Sequence, residues 1–142
     1  MVGHDVLFQA RNKIYIENRF EVGSQVNVSW EAQFFDTDFH YVENMENHTV
    51  RRRSKPISIG SHVWIGNRCT VQKGSVIPDD CTIASNSLVN KDLSDNPKYS
   101  IFAGIPAKRV KTGYERVFSY TKEVYLDKEF EDADVTEVTF EN

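Results

Sequence analysis

From Ile59 onward a β-branched aliphatic residue returns at every sixth position: Ile59, Ile65, Val71, Ile77, Ile83 and Val89. A second phase, four residues after each of the first five, holds smaller residues at Val63, Cys69, Ser75, Cys81 and Ser87. A helix returns to its buried face about every 3.6 residues and a strand every second one, so neither accommodates this period. A triangular coil does. Each hexad supplies one short strand and one corner, and three hexads close a turn of about eighteen residues. Residues eighteen apart then stack: Ile59 on Ile77, Ile65 on Ile83, Val71 on Val89, Val63 on Cys81. Each coil buries its aliphatics only against its neighbours, so the expected fold is an all-β solenoid, a parallel β-helix of six-residue repeats needing caps or partners at its ends. Gly60 and Gly66 follow the first two aliphatics directly, where a tight corner is expected to need a permissive backbone.

The beat is also read upstream, at Ile16, Val22, Val28 and Phe34, with Phe20, Val26 and Ala32 in the second phase. That leaves about a coil and a half before the interruption. Phe34 and Ile59 are 59 − 34 = 25 positions apart, one more than four hexads, so the two runs are out of phase. A solenoid can extrude residues at a corner without disturbing the flanking coils. Residues about 35–56 are expected to form such a loop, with Pro56 marking the return to the repeat. Loops on rigid scaffolds often carry function. This one holds His40, at the end of Asp36-Thr37-Asp38-Phe39-His40, and the triplet Arg51-Arg52-Arg53. In an extended segment, positions 36, 38 and 40 share one side, which would bring both carboxylates near the imidazole. The arginine triplet reads as a solvated loop end, with an anionic acceptor or a cofactor phosphate as its functional alternative.

The chain is 142 residues long, which suits one domain with a modest core. Its net charge of −4 argues against a dedicated nucleic-acid binder. No apolar run approaches the roughly 18 residues of a membrane span, and the N-terminus shows no signal-peptide pattern, so the cytoplasm is the expected compartment. Cys69 and Cys81 make neither a disulfide framework nor a zinc motif. Twelve positions apart, they belong to different faces of the coil and are expected in the core, unpaired. Residues 1–112 are taken as the solenoid and 113–142 as an extension. From Glu115 onward the extension holds nine acidic and three basic residues together with Phe118, Tyr120, Tyr125, Phe130 and Phe140. Capping the last coil, packing on a neighbouring subunit or shielding a solenoid edge are its expected roles, and the alternation of Val135–Phe140 suggests a strand.

The string from Lys55 to Lys111 resembles the hexapeptide-repeat acyltransferases, the left-handed β-helix family, through Trp64-Ile65-Gly66, Val89-Asn90-Lys91-Asp92 and Gly104-Ile105-Pro106-Ala107-Lys108. The upstream Ser29–Val42 stretch is similar to the catalytic segment of sugar O-acetyltransferases of capsule, O-antigen and exopolysaccharide synthesis. The resemblance implies a left-handed coil, a homotrimer, and acetyl-CoA lying in the groove between neighbouring β-helices, with no metal required. It implies acetyl transfer to a hydroxyl of a sugar or saccharide. By the same resemblance His40 is the general base, with Asp38 or Asp36 orienting its ring or binding the acceptor. Trp64 and Asn67 are implied along the pantetheine, Ser85, Asn90 and Lys91 along the cofactor groove, and Lys108 and Lys111 near the CoA phosphates. A neutral imidazole, with its ordinary pKa near about 6.5, suits removal of a hydroxyl proton as a thioester is attacked. The alternatives are N-acetylation of an amino-sugar nucleotide and a non-catalytic β-helix used in assembly. A zinc-dependent carbonic anhydrase on the same coil fits poorly, because the spacing of His4, His40, His48 and His62 does not resemble that family's ligand set.

Overall fold

A computed structural model describes residues 1–140. The chain winds into a triangular prism whose three faces are parallel sheets. Coil 1 contributes a bridge at Val2, then β1 (Val6–Phe8) and β2 (Lys13–Tyr15); coil 2 contributes β3 (Phe20–Val22), β4 (Val26–Val28) and β5 (Gln33–Phe35). An antiparallel pair, β6 (Glu43–Asn44) and β7 (Thr49–Val50), then stands off the prism. Coil 3 is β8 (Ile57–Ile59), β9 (Trp64–Ile65) and β10 (Thr70–Gln72), and coil 4 is β11 (Val76–Ile77), β12 (Thr82–Ile83) and β13 (Leu88–Val89). The last face-forming strand, β14 (Ser100–Gly104), folds back on β15 (Ala107–Thr112) as an antiparallel hairpin.

The stacking follows the hexad rule. Ile77 pairs with Ile59, Ile83 with Ile65 and Val89 with Val71, and all six aliphatics are buried together with the second-phase residues. The ends are plugged by larger side chains. Phe8, Phe20 and Phe34 meet at one end with ring centroids 5.5–6.5 Å apart, while Leu93 and Phe102 fill the other. The terminal hairpin pairs the edge that the solenoid would otherwise leave open. Cys69 and Cys81 are buried and unpaired.

Three expectations are corrected. The first coil keeps its beat at Val2, Phe8 and Ile14, which pair with Val22, Val28 and Phe34 twenty residues later. Ile14, not Ile16, therefore stacks on Phe34, and Ile16 lies off the beat. Almost two coils, rather than one and a half, precede the interruption. Gly60 and Gly66 are not at left-handed positions. What requires glycine there is the coil above: a Cβ on Gly66 would lie 2.6 Å from the Ser85 nitrogen, and one on Gly60 would lie 2.7 Å from the Asp79 nitrogen. The left-handed corner residues are instead Asp5, Gln25, His62, Asp80 and Tyr99 along one edge and Arg11, Glu31, Arg68 and Asn86 along the next.

The extension is helical where it is regular. Helix α1 (Tyr120–Asp132) starts at Ser119, whose hydroxyl accepts from the Lys122 amide at 3.2 Å. None of its residues is buried. Residues 135–140 are irregular, so the alternation of Val135–Phe140 does not make a strand. Tertiary pairing is what turns such an alternation into a strand, and no sheet edge reaches it among the described residues.

Candidate active site

The interruption leaves the prism at the corner between the β5 and β8 faces. Its neck is closed by backbone bonds from Asp38 to Arg53 (2.9 Å) and from Lys55 to Asp36 (2.8 Å), with a bridge between Thr37 and Ser54. The extruded part is thus about 38–53, slightly tighter than the expected 35–56. Arg53 fastens it to the first coil. Its guanidinium donates to the Glu17 carboxylate at 2.8–3.2 Å and to the Phe39 carbonyl at 2.9 Å, and lies 5.2 Å from the centre of the Tyr41 ring. This pairing holds the Glu17 carboxyl below its ordinary pKa, because the Arg53 hydrogen bonds favour the charged form.

Asp36 does not share a side with Asp38 and His40, as expected of an extended segment. It turns inward and is fully buried, while Asp38 and His40 are exposed. One of its carboxylate oxygens accepts from the Glu17 amide at 2.7 Å, and the other from the Asn18 and Arg19 amides at 2.7 and 2.8 Å. Those residues form the longer corner of the first coil. The two residues that coil 1 has beyond eighteen wrap around this carboxylate, which satisfies three backbone donors that no strand can.

His40, Asp38 and Lys73 line one cavity of about 370 Å³ between the loop and the prism. Asp38 forms an ion pair with Lys73, on the next coil. Lys73 was not among the residues singled out in the sequence. Register could have found it, because Phe34 stacks on Val71, which places the residues following Phe35 over those following Gln72. Asn90 and Lys91 lie exposed on the same corner one coil further, where the Lys91 carbonyl accepts from the Val76 amide.

The remaining candidates lie elsewhere on the prism. Trp64 projects from β9, in register with Asn27 and Thr82, and Thr82 continues through Ile101 to Lys111. Lys108 is on the same terminal strand, β15. Asn67 and Ser85 occupy the edge between that face and the β10 face, and the Ser85 hydroxyl donates to Asn67 at 2.6 Å. The face carrying Trp64 and Lys111 is opposite the corner carrying His40, so a single copy does not bring these groups together.

The extension crosses the Trp64 face. The Arg116 guanidinium lies 5.7 Å from the Trp64 ring centre and 5.2 Å from that of Phe118. Glu115 meets the corner residues His62 and Asp80, and donor atoms of the three lie within 4.8 Å of one another. His62 Nδ1 is 3.2 Å from Asp80, and Lys98 approaches the same carboxylate at 3.9 Å. Burial, and the hydrogen bond it shares with Asp80, push the Glu115 carboxyl above its ordinary pKa. We read this cluster as the fastening of the extension.

The prism is a left-handed parallel β-helix. Residues 56–91 match the family model described as bacterial transferase hexapeptide, six repeats. It is 32% identical over 69 residues to the galactoside O-acetyltransferase of Escherichia coli (strain K12), covering 46% of this chain and 32% of that protein. It is 40% identical over 60 residues to a chloramphenicol acetyltransferase of Morganella morganii, covering 42% and 27%. The chain thus matches about a third or less of the length of these curated relatives. The crystal structure of the polySia-specific acetyltransferase NeuO superposes with a TM-score of 0.71 at 19% identity, over 89% of this chain and 62% of that one. A Vibrio cholerae hexapeptide-repeat acetyltransferase solved with acetyl coenzyme A superposes at 0.53 with 20% identity, over 80% and 70%.

Proposed function

We propose that the chain transfers an acetyl group from acetyl-CoA to a hydroxyl of a sugar or saccharide, with His40 as general base. The observation that carries this reading is the cavity at the extruded corner, where an unencumbered imidazole stands beside Asp38 and Lys73. Among the described residues the His40 ring has no hydrogen-bond partner, which leaves its nitrogens for a substrate proton. An acetyl thioester is already electrophilic. The protein's work is to hold donor and acceptor in line and to take the hydroxyl proton as the bond to the carbonyl carbon forms and the CoA thiolate leaves. The thiolate leaves as the thiol once it regains a proton from the imidazolium. Asp38 is a positioning residue, for Lys73 and for the acceptor, while Asp36 holds the corner behind the loop.

The separation of Trp64, Lys108 and Lys111 from His40 supports assembly as a homotrimer. Three prisms packed side by side would set the loop corner of one copy against the Trp64 face of the next, closing a groove long enough for CoA. Lys91 would serve that groove from the loop side and Lys108 and Lys111 from the other, as point charges for phosphates. Acetyl-CoA supply makes the cytoplasm the compartment for this activity, and no helix among the described residues is long and apolar enough to cross a membrane.

The test is His40→Ala. The exposed ring contributes no packing, so the variant should keep its melting temperature and its acetyl-CoA affinity while losing about 10²–10⁴ in transfer rate. Near-normal transfer by the variant would reject His40 as the base.

A further inference from the structure

We propose that the acceptor is an acidic saccharide, whose carboxylate is held by Arg51 and Arg52 at the mouth of the His40 cavity. This rests on the acceptor reading above and adds the chemical class of the sugar. The chain as a whole carries a net charge of −4, yet the cavity is lined by four cationic side chains, Arg51, Arg52, Arg53 and Lys73, against two carboxylates, Asp38 and Glu43.

The internal ion pairs divide those charges. Lys73 is neutralised by Asp38, and Arg53 by Glu17, which lies outside the lining. Glu43 shares a hydrogen bond with the His48 ring at 2.7 Å, an ion pair only when that ring is protonated. Arg51 and Arg52 form no ion pair among the described residues, and both are exposed. The structural work of the triplet is done by Arg53 alone, so fastening the loop does not explain its two neighbours. Two adjacent guanidinium groups facing a cavity, without carboxylates of their own, present paired donors to a planar anion.

That anion could be a carboxylate of the acceptor or a phosphate of CoA. Geometry favours the acceptor. Of the lysines proposed for CoA phosphates, Lys108 and Lys111 lie on β15 at the far end of the opposite face and Lys91 one coil further along the corner, outside the cavity lining, whereas the arginines share a cavity with the base itself. The His40 end of the groove is where the acceptor hydroxyl has to arrive.

The test uses two trisaccharide probes of different carboxylate geometry, a trigalacturonate and a trisialic acid, each with its uncharged methyl ester. All are titrated calorimetrically into the full chain at low and at raised salt. At least one free acid should bind about tenfold or more tightly than its ester, with the difference shrinking as salt is added. In Arg51→Gln/Arg52→Gln the discrimination should vanish, while melting temperature and acetyl-CoA affinity stay unchanged. The single variants give the same reading if the double one folds poorly.

Three results would overturn the proposal: no preference for either acid, a preference that survives the double variant, or a fall in acetyl-CoA affinity, which would give the arginines to the cofactor. Acid-selective binding without any acetyl transfer would instead reject the proposed activity and leave the acidic-saccharide site standing.

Discussion

Replacing Asp36 by asparagine tests whether this carboxylate is a structural cap or a partner of the base. The native side chain accepts three backbone N–H groups with two oxygens: Glu17 on one, Asn18 and Arg19 on the other. An amide keeps a single acceptor oxygen. Turned toward Asn18 and Arg19, it leaves the Glu17 donor facing an NH₂ group, an unmet buried donor costing about 1–3 kcal/mol. The two retained bonds become neutral rather than charge-assisted, and lose roughly half their strength. The sum is about 3 kcal/mol, equivalent to a melting temperature lower by roughly 10 °C for a chain of this size. Circular-dichroism melts at fixed protein concentration read it directly. Acetyl transfer, measured well below the lowered transition, should stay within a few-fold of the native rate. A melting temperature within about 2 °C of native, together with lost transfer, would refute the capping role and give Asp36 to the chemistry.

Two further perturbations follow from the loop fastening and from the extension. Glu17 has a folded-state pKa below its ordinary 4.5, so its contribution is present above that value and lost as pH falls through the lower, folded one. Acid should therefore free the 38–53 loop ahead of the prism, and in Glu17→Gln the loop should already be cut faster by protease at neutral pH. Equal cutting of the variant and the native chain would show that Arg53 does not hold the loop through Glu17. Glu115 has the opposite sign. Its pKa is raised by burial and by Asp80, so its contact is fully present below 4.5 and weakens as pH rises through the folded value. Glu115→Gln, which can donate to Asp80 at any pH, should slow hydrogen exchange of α1 at neutral pH. Faster exchange would contradict the reading of this contact.

The prism between Ile59 and Val89 was legible because its six aliphatics form an unbroken phase, and every one of them is buried. The first coil was harder to read. Ile14 and Ile16 are both aliphatic and two apart, and only the wrapping of 17–19 around Asp36 decides which faces inward. Alternation grouped Asp36 with Asp38 and His40 on one side, a grouping that fails because the chain leaves its strand after Asp36 to enter the loop. The position of His40 on a loop was readable from the break in phase. Its neighbour Lys73 comes from another coil and emerges only through register. In the extension, Ser119 as a cap ahead of Lys122, Glu123, Leu126, Lys128 and Glu129 was the available signal for α1, while the alternation of Val135–Phe140 has no sheet edge to join among the described residues.

Binding of acetyl-CoA to the purified full chain tests the central claim most directly, because it requires no knowledge of the acceptor. Calorimetric titration should give about one site per subunit, with affinity retained in His40→Ala and reduced in Lys91→Ala and Lys108→Ala. No heat of binding from acetyl-CoA would contradict the transferase reading and favour a β-helix used for assembly.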